Sequence, residues 1–264
     1  MQRVRIDSLD DPRLDVYRNL KTSNASRDAG VFIAEGTTLV ERLLNSTWQV
    51  DSVLASEQKL RKFRARIPDG TLVYEVDRDL ATELVGFRFH LGVAAAAQRR
   101  PALPLREAIP DSGTALILVG DHLIDPENVG MLIRIGSAFG AAAVVFTPGT
   151  TDPFSRRVLR VSMGNGLFLP IVDELPAKEV IHELSRSNVV CCTTTLNSSA
   201  QTLGEFSFPK RTAIIFGNET HGVSAATIDQ CPHELTIPML NNTDSLNVAV
   251  SAGIFSHSFR IQHP

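Results

Sequence analysis

Four apolar runs rich in β-branched residues punctuate the second half of the chain: TALILVG (114–120), AAVVFT (142–147), NVVCCTTT (188–195) and TAIIFG (212–217). Each is short and largely uninterrupted by charge, the mark of a strand covered on both faces. Helix-periodic segments separate them, and a fifth run, ELTIP (234–238), precedes an apolar closing segment. Strands alternating with helices predict an α/β fold with a mostly parallel sheet. In such sheets ligands bind beyond the carboxyl ends of the strands.

The conspicuous polar residues fall at those ends. The first run feeds DHLIDPENVGMLIR (121–134), the fourth ends in GNETHG (217–222), and the fifth runs into IPMLNNTDSLN (237–247). Three polar clusters at corresponding strand ends predict one pocket. In the first, Pro126 and Glu127 suit a helix start, with Asn128 and Gly130 in its first turn. Arg134 lies within the otherwise apolar MLIRIGSAFG and needs a partner or a route to solvent. In the second, Gly217 and Gly222 flank Glu219 and permit close backbone approach to a ligand.

The third cluster places Asn241, Asn242, Thr243, Asp244, Ser245 and Asn247 at the mouth of a helix. Val248, Ala252, Phe255 and Phe259 form one stripe of that helix, and Leu246, Val250 and Ile254 another, so it is expected to be buried on two faces. Ser245 is the expected N-cap, which leaves Asn247 in the first turn without a capping role.

The first half repeats the alternation on a smaller scale. VFIAEG (31–36), VDSVLAS (50–56), TLVYEV (71–76) and LGVAAAA (91–97) read as strands, with helices after residue 36 and near 57–66 and 77–85. The proline-bearing QRRPALPLREAIPDSG (98–113) reads as an extended seam. The expected organisation is a small α/β domain at 1–97, a linker at 98–112 and a larger domain at 113–264.

A net charge of −3 over 264 residues excludes a generally basic nucleic-acid coat. Basic residues still cluster locally: Arg61, Lys62, Arg64 and Arg66; Arg99 and Arg100; Arg156, Arg157 and Arg160. Such clusters favour a phosphate-bearing partner. No apolar stretch is long enough to span a bilayer and the N-terminus is charged, so the expectation is a cytoplasmic protein with no membrane association. The three cysteines form no disulfide framework or CxxC pair, and the seven histidines show no ligand spacing, so no metal is expected. There is no G-x-G-x-x-G after a strand, no Walker A loop and no G-x-S-x-G elbow, which sets an NAD-dependent oxidoreductase aside.

Together the clusters resemble the SpoU family of RNA ribose 2′-O-methyltransferases, of the SPOUT superfamily. Its three motifs stand in order as Asn128-x-Gly130-x-x-x-Arg134, then Gly217-Asn-Glu219-x-x-Gly222, then Ile237-Pro238-Met239 followed by Ser245-Leu246-Asn247-Val248-Ala249. RVSMGNGLFLP (160–170) also looks like the family's segment between the first two. FIAEGTTLVERLL and HLGVAAA are similar, more loosely, to the family's ribosomal-protein-like substrate-binding domain. One departure is Asn241, where the family has glycine; asparagine is the residue that next best tolerates left-handed backbone.

The resemblance implies a C-terminal trefoil knot, a homodimer, and S-adenosylmethionine (SAM) held by Thr194, Gly217, Ile237 and Leu246. It implies that Arg134 meets the reacting ribose and its neighbouring phosphate, that Asn128 orients Arg134 or the ribose, and that Glu219 fixes the motif loops and can pair with Arg134. Ser245 would cap the last helix, and Asn247 would tie the cofactor loop to the substrate loop. The implied partner is RNA, ribosomal ahead of transfer RNA. The alternative is a catalytically inactive RNA-binding ribosome-assembly factor of the same fold.

Overall fold

The computed structural model describes residues 1–20, 30–197, 199–241 and 243–264, which fall into two compact units. The first hundred residues carry β1 (Gln2–Ile6), β2 (Val31–Glu35), α1 (Thr37–Leu44), β3 (Val50–Ser56), α2 (Glu57–Phe63), β4 (Leu72–Val76), α3 (Arg78–Val85) and β5 (Val93–Gln98). The remainder begins with α4 (Leu105–Ala108), β6 (Ala115–Gly120), α5 (Pro126–Ala138), β7 (Ala143–Phe146), α6 (Arg156–Val161) and β8 (Ile171–Val172). It ends with α7 (Ala177–Arg186), β9 (Val190–Thr194), β10 (Gln201–Thr202), β11 (Arg211–Phe216), α8 (Ala225–Ile228), β12 (His233–Thr236) and α9 (Val248–Gln262).

The first unit comprises Met1–Arg100 and Phe154–Phe168. Its sheet runs β1-β4-β3-β5-β2, with β5 antiparallel to both its neighbours and the other pairs parallel. The alanine run of β5 follows from its central place. Val93, Ala95 and Ala97 face one apolar core, Ala94 and Ala96 the other, and small side chains let both helical layers approach. The four strands expected here are present, and β1 is an addition. Its sequence, QRVRI, buries only Ile6, while Arg3 reaches the buried carboxylate of Glu75 at 2.5 Å. Leu159 and Leu167, from beyond the seam, enter the same core as Phe32 and Val53.

The second unit, Pro101–Pro153 with Leu169–Pro264, has a seven-stranded sheet ordered β10-β12-β9-β11-β6-β7-β8. Every pair in it is parallel, as the alternating pattern predicts. The seam departs from the extended linker that its prolines suggest. It forms α4 and buries Leu105, Ala108 and Ile109 in the core with Ile117 and Val145, because its apolar residues recur at helical spacing between the prolines.

Two helices position the site. In α5, Val129, Leu132, Ile133 and Gly136 form the buried stripe, and a Cβ on Gly136 would meet Val144 at 2.8 Å, so only glycine lets the helix lie this close to β7. In α9, Ala249, Ala252, Phe255 and Phe259 are buried, with Phe255 edge-on to Phe216 of β11 at 5.9 Å. The second apolar stripe is not covered: Val250, Ile254 and Ile261 are exposed.

Candidate active site

The carboxyl ends of β9, β11 and β12, with the first turn of α5, open onto a cavity of about 470 Å³. Asn128, Thr194, Gly217, Glu219, Ile237, Ser245, Leu246 and Asn247, eight of the nine residues singled out in the sequence, line it.

A chain of side chains closes one wall. Asp125 starts α5 by accepting from the Glu127 amide, with Pro126 at the first helical position, and this sets Asn128 in the first turn. Asn128 is buried and donates to Glu219 at 2.9 Å. Glu219 also accepts from the backbone amides of Asp125 at 3.1 Å and Ile124 at 3.3 Å. On its other side Asn128 accepts from Asn247 at 2.9 Å. Each of the three motifs thus contributes one member to a single hydrogen-bonded row. Partial burial pushes the Glu219 carboxyl up, but hydrogen bonds from Asn128 and from the backbone amides, including those of Asp125 and Ile124, outweigh it and hold the group below the usual carboxylate range.

Two expectations are corrected here. The N-cap of α9 is Asn247, whose Oδ1 accepts from the amides of Ala249 at 2.8 Å and Val250 at 3.4 Å, and not Ser245. The backbone stays extended through Asn247, so the helix starts two residues later than a Ser245 cap requires. Ser245 is exposed and lines the cavity. The Arg134–Glu219 pair is also absent. Arg134 is exposed on α5, off the buried stripe, and does not line the cavity, while the Glu219 oxygens are taken by Asn128 and the two amides. Its route to solvent, rather than a partner, answers the question its apolar surroundings raise.

The loop that carries Glu219 is tightly folded. A Cβ on Gly217 would lie 2.1 Å from the backbone of Gly222 and Val223, and Gly222 has φ +69°. Asn218, which sequence reasoning passed over, holds it. Its Oδ1 accepts from the amides of Thr220 and His221, and its Nδ2 donates to the His122 carbonyl at 2.9 Å. Asparagine between two glycines is a turn signal that points to this role. Asn241 has φ 57°, the left-handed geometry that its replacement of glycine predicts. Asn242 lies outside the described residues.

The lining excludes some ligands. Among the described residues it carries no lysine or arginine and one carboxylate, with main chain, amides, hydroxyls and the apolar Ile237, Leu246 and Met239 making up most of the rest. A pyrophosphate cofactor finds no cation there. A compact nucleoside without phosphates fits both the volume and the chemistry.

The SpoU rRNA Methylase family model matches residues 115–257, more than half of the chain and all nine candidate positions. The chain belongs to the SpoU rRNA methylase family. Residues 12–86 match an MRM3-like substrate binding domain. A Mycobacterium tuberculosis protein named as an uncharacterized tRNA/rRNA methyltransferase is 31% identical over 253 residues, 93% of this chain and 87% of its own. The Bacillus subtilis 23S rRNA (guanosine(2553)-2′-O)-methyltransferase RlmP is 28% identical over 257 residues, 97% of this chain and 99% of its own. Among solved structures, the AdoMet-bound rRNA methyltransferase from Sinorhizobium meliloti superposes with a TM-score of 0.87 at 25% identity, covering all of both chains. As a SpoU methylase the protein is a methyltransferase, and S-adenosylmethionine is its methyl donor.

Proposed function

We propose that the protein transfers the methyl group of SAM to a ribose 2′-hydroxyl of ribosomal RNA. The observation that carries this reading is the Glu219–Asn128–Asn247 row, intact at the wall of a cavity lined without lysine or arginine. RlmP, similar over nearly the whole chain, is named for this reaction on 23S rRNA, which supports ribosomal over transfer RNA.

In this reading SAM supplies an electrophilic methyl on a good leaving group, and the protein's task is to place and activate a weakly acidic hydroxyl. Thr194, Gly217, Ile237 and Leu246 hold the cofactor, largely through main chain and apolar contact. Glu219, Asn128 and Asn247 lock the three loops so that the cofactor and ribose subsites keep one geometry. Arg134, exposed and unpaired with Glu219, clamps the phosphate beside the reacting ribose and stabilises the developing alkoxide; its pKa above about 12 makes it a poor base. Ser245, at the cavity and relieved of capping, faces the ligands.

The domain roles follow. The first unit, residues 1–100 with 154–168, binds RNA, and the second, 101–153 with 169–264 and including the packed seam helix α4, forms the methyltransferase domain. The loop at Gly217–Gly222 and the segment from Ile237 to Val248 line one cavity, which suits threading of the C-terminal segment as a trefoil knot. The exposed stripe of Val250, Ile254 and Ile261 suits a second copy of the chain. A cytoplasmic setting accords with an rRNA substrate.

The test is transfer of labelled methyl from SAM to unmodified transcripts of 23S rRNA and of transfer RNA. Label in 23S rRNA that is lost with Arg134→Ala supports the reading; label confined to transfer RNA overturns the substrate, and none in either overturns the activity.

A further inference from the structure

The net charge of −3 conceals a division. The first unit carries 19 Lys and Arg against 14 Asp and Glu, a formal +5; the second carries 7 against 15, a formal −8. An RNA backbone therefore favours the first unit. That unit also displays an aromatic surface that the cavity chemistry does not use. Phe168 is 54% exposed and Met163 45%, both on the turn that follows α6.

The turn is rigidly held. Leu167 is buried in the unit's core, and the Trp48 indole donates to its carbonyl at 2.8 Å, which fixes the point where Phe168 leaves the core. Arg42 of α1 donates to the Met163 carbonyl at 2.7 Å and to Asn165 Oδ1 at 3.0 Å. Those bonds set its guanidinium 5.3 Å from the centre of the Phe168 ring. The cation is thus anchored as a companion to an exposed ring. Further cations lie close by. Arg160, one turn before Met163, is half exposed and only 3.8 Å from Glu35, whose close partner is Arg156 at 2.5 Å. Arg66 reaches Glu41, next to Arg42 on α1.

Resting on the RNA-methylation reading, we propose that Phe168 and Arg42 form a base-stacking platform for an unpaired nucleotide of the RNA substrate, with Arg160 placed for the neighbouring phosphate. An exposed ring beside a guanidinium offers a base a π-face and a cation together, and base stacking on an aromatic tolerates any sequence. Only an unpaired base presents such a face, so the platform selects single-stranded over duplex RNA.

The experiment uses the full-length protein and a fluorescein-labelled 12-nucleotide single-stranded RNA, alone or annealed to its complement, with binding read by anisotropy. SAM affinity is measured in parallel by calorimetry. The wild type binds the single strand more tightly than the duplex. Phe168→Ala loses about 5- to 150-fold in affinity for the single strand, the loss that stacking of one base at about 1–3 kcal/mol implies. Phe168→Trp retains the affinity, and SAM binding is unchanged in both. Undiminished single-strand binding by Phe168→Ala overturns the platform and leaves the methylation reading standing. An equal loss on single strand and duplex overturns stacking as the mode. Failure of the wild type to bind either RNA, with SAM still bound, overturns the platform and the RNA reading together.

Discussion

Asn247 donates its side-chain amide to Asn128 at 2.9 Å, joining residues 119 positions apart in the chain. The same Asn247 caps α9 through its oxygen, and the same Asn128 donates to Glu219. Two asparagines, each using both ends of its amide, therefore couple the start of the last helix to the first and second motif loops.

Asn128→Ala removes a buried amide, leaving the exposed Glu219 without its side-chain donor and the exposed Asn247 without its acceptor. The expected loss is about 1–3 kcal/mol of stability, read by denaturant unfolding, with SAM affinity falling alongside. Combined with Asn247→Ala the losses are less than additive, because both substitutions break the same bond.

The capping assignment separates two neighbours. Asn247→Ala costs about 0.5–2 kcal/mol and lowers Tm, whereas Ser245→Ala leaves Tm within a degree or so. Equal Tm losses in the two variants would return the cap to Ser245.

Glu219 confers a pH dependence with a definite sign. Its folded pKa is below the unfolded value, so the unfolded chain binds more protons through that window and stability rises with pH there. The contribution is fully present above the ordinary carboxylate range, near pH 4–5, and is lost as pH falls through the lowered folded value. Unfolding measured between pH 3 and about 6 should show a smaller slope in Glu219→Gln than in the wild type.

Gly217→Ala drives a methyl group into the backbone of Gly222 and Val223. Backbone cannot swing aside as a side chain can, so the cost lies at or above the upper end of the roughly 1–3 kcal/mol typical of overpacking. SAM binding by calorimetry should be lost even where the far-ultraviolet circular dichroism is native.

Much of this was legible in the chain because strand ends and polar clusters coincide. The strand runs place β6, β7, β9, β11 and β12, and residues after β9, β11 and β12 line one cavity together with Asn128, which follows β6. What failed did so for local reasons. Ser245 and Asn247 are both good caps by type, and the choice between them turns on where the extended backbone ends, which side-chain chemistry does not encode. The exposure of Arg134 was readable: Val129, Leu132, Ile133 and Gly136 make the helical stripe, and Arg134 falls off it. β1 hid behind its arginines: Arg3 finds its partner in the Glu75 carboxylate, 72 residues away, and Arg5 in Asp7. Nothing local indicates that Leu159 and Leu167 belong in the core with Phe32, since that contact spans the seam.

The most direct test of the account asks where the methyl group lands. 23S rRNA transcript is incubated with the enzyme and methyl-labelled SAM, then hydrolysed in alkali, which needs a free 2′-hydroxyl to cut the following phosphodiester. The account predicts label in an alkali-resistant dinucleotide, abolished by Arg134→Ala and reduced by Asn128→Ala. Label recovered in mononucleotides would place the methyl on a base and contradict ribose methylation.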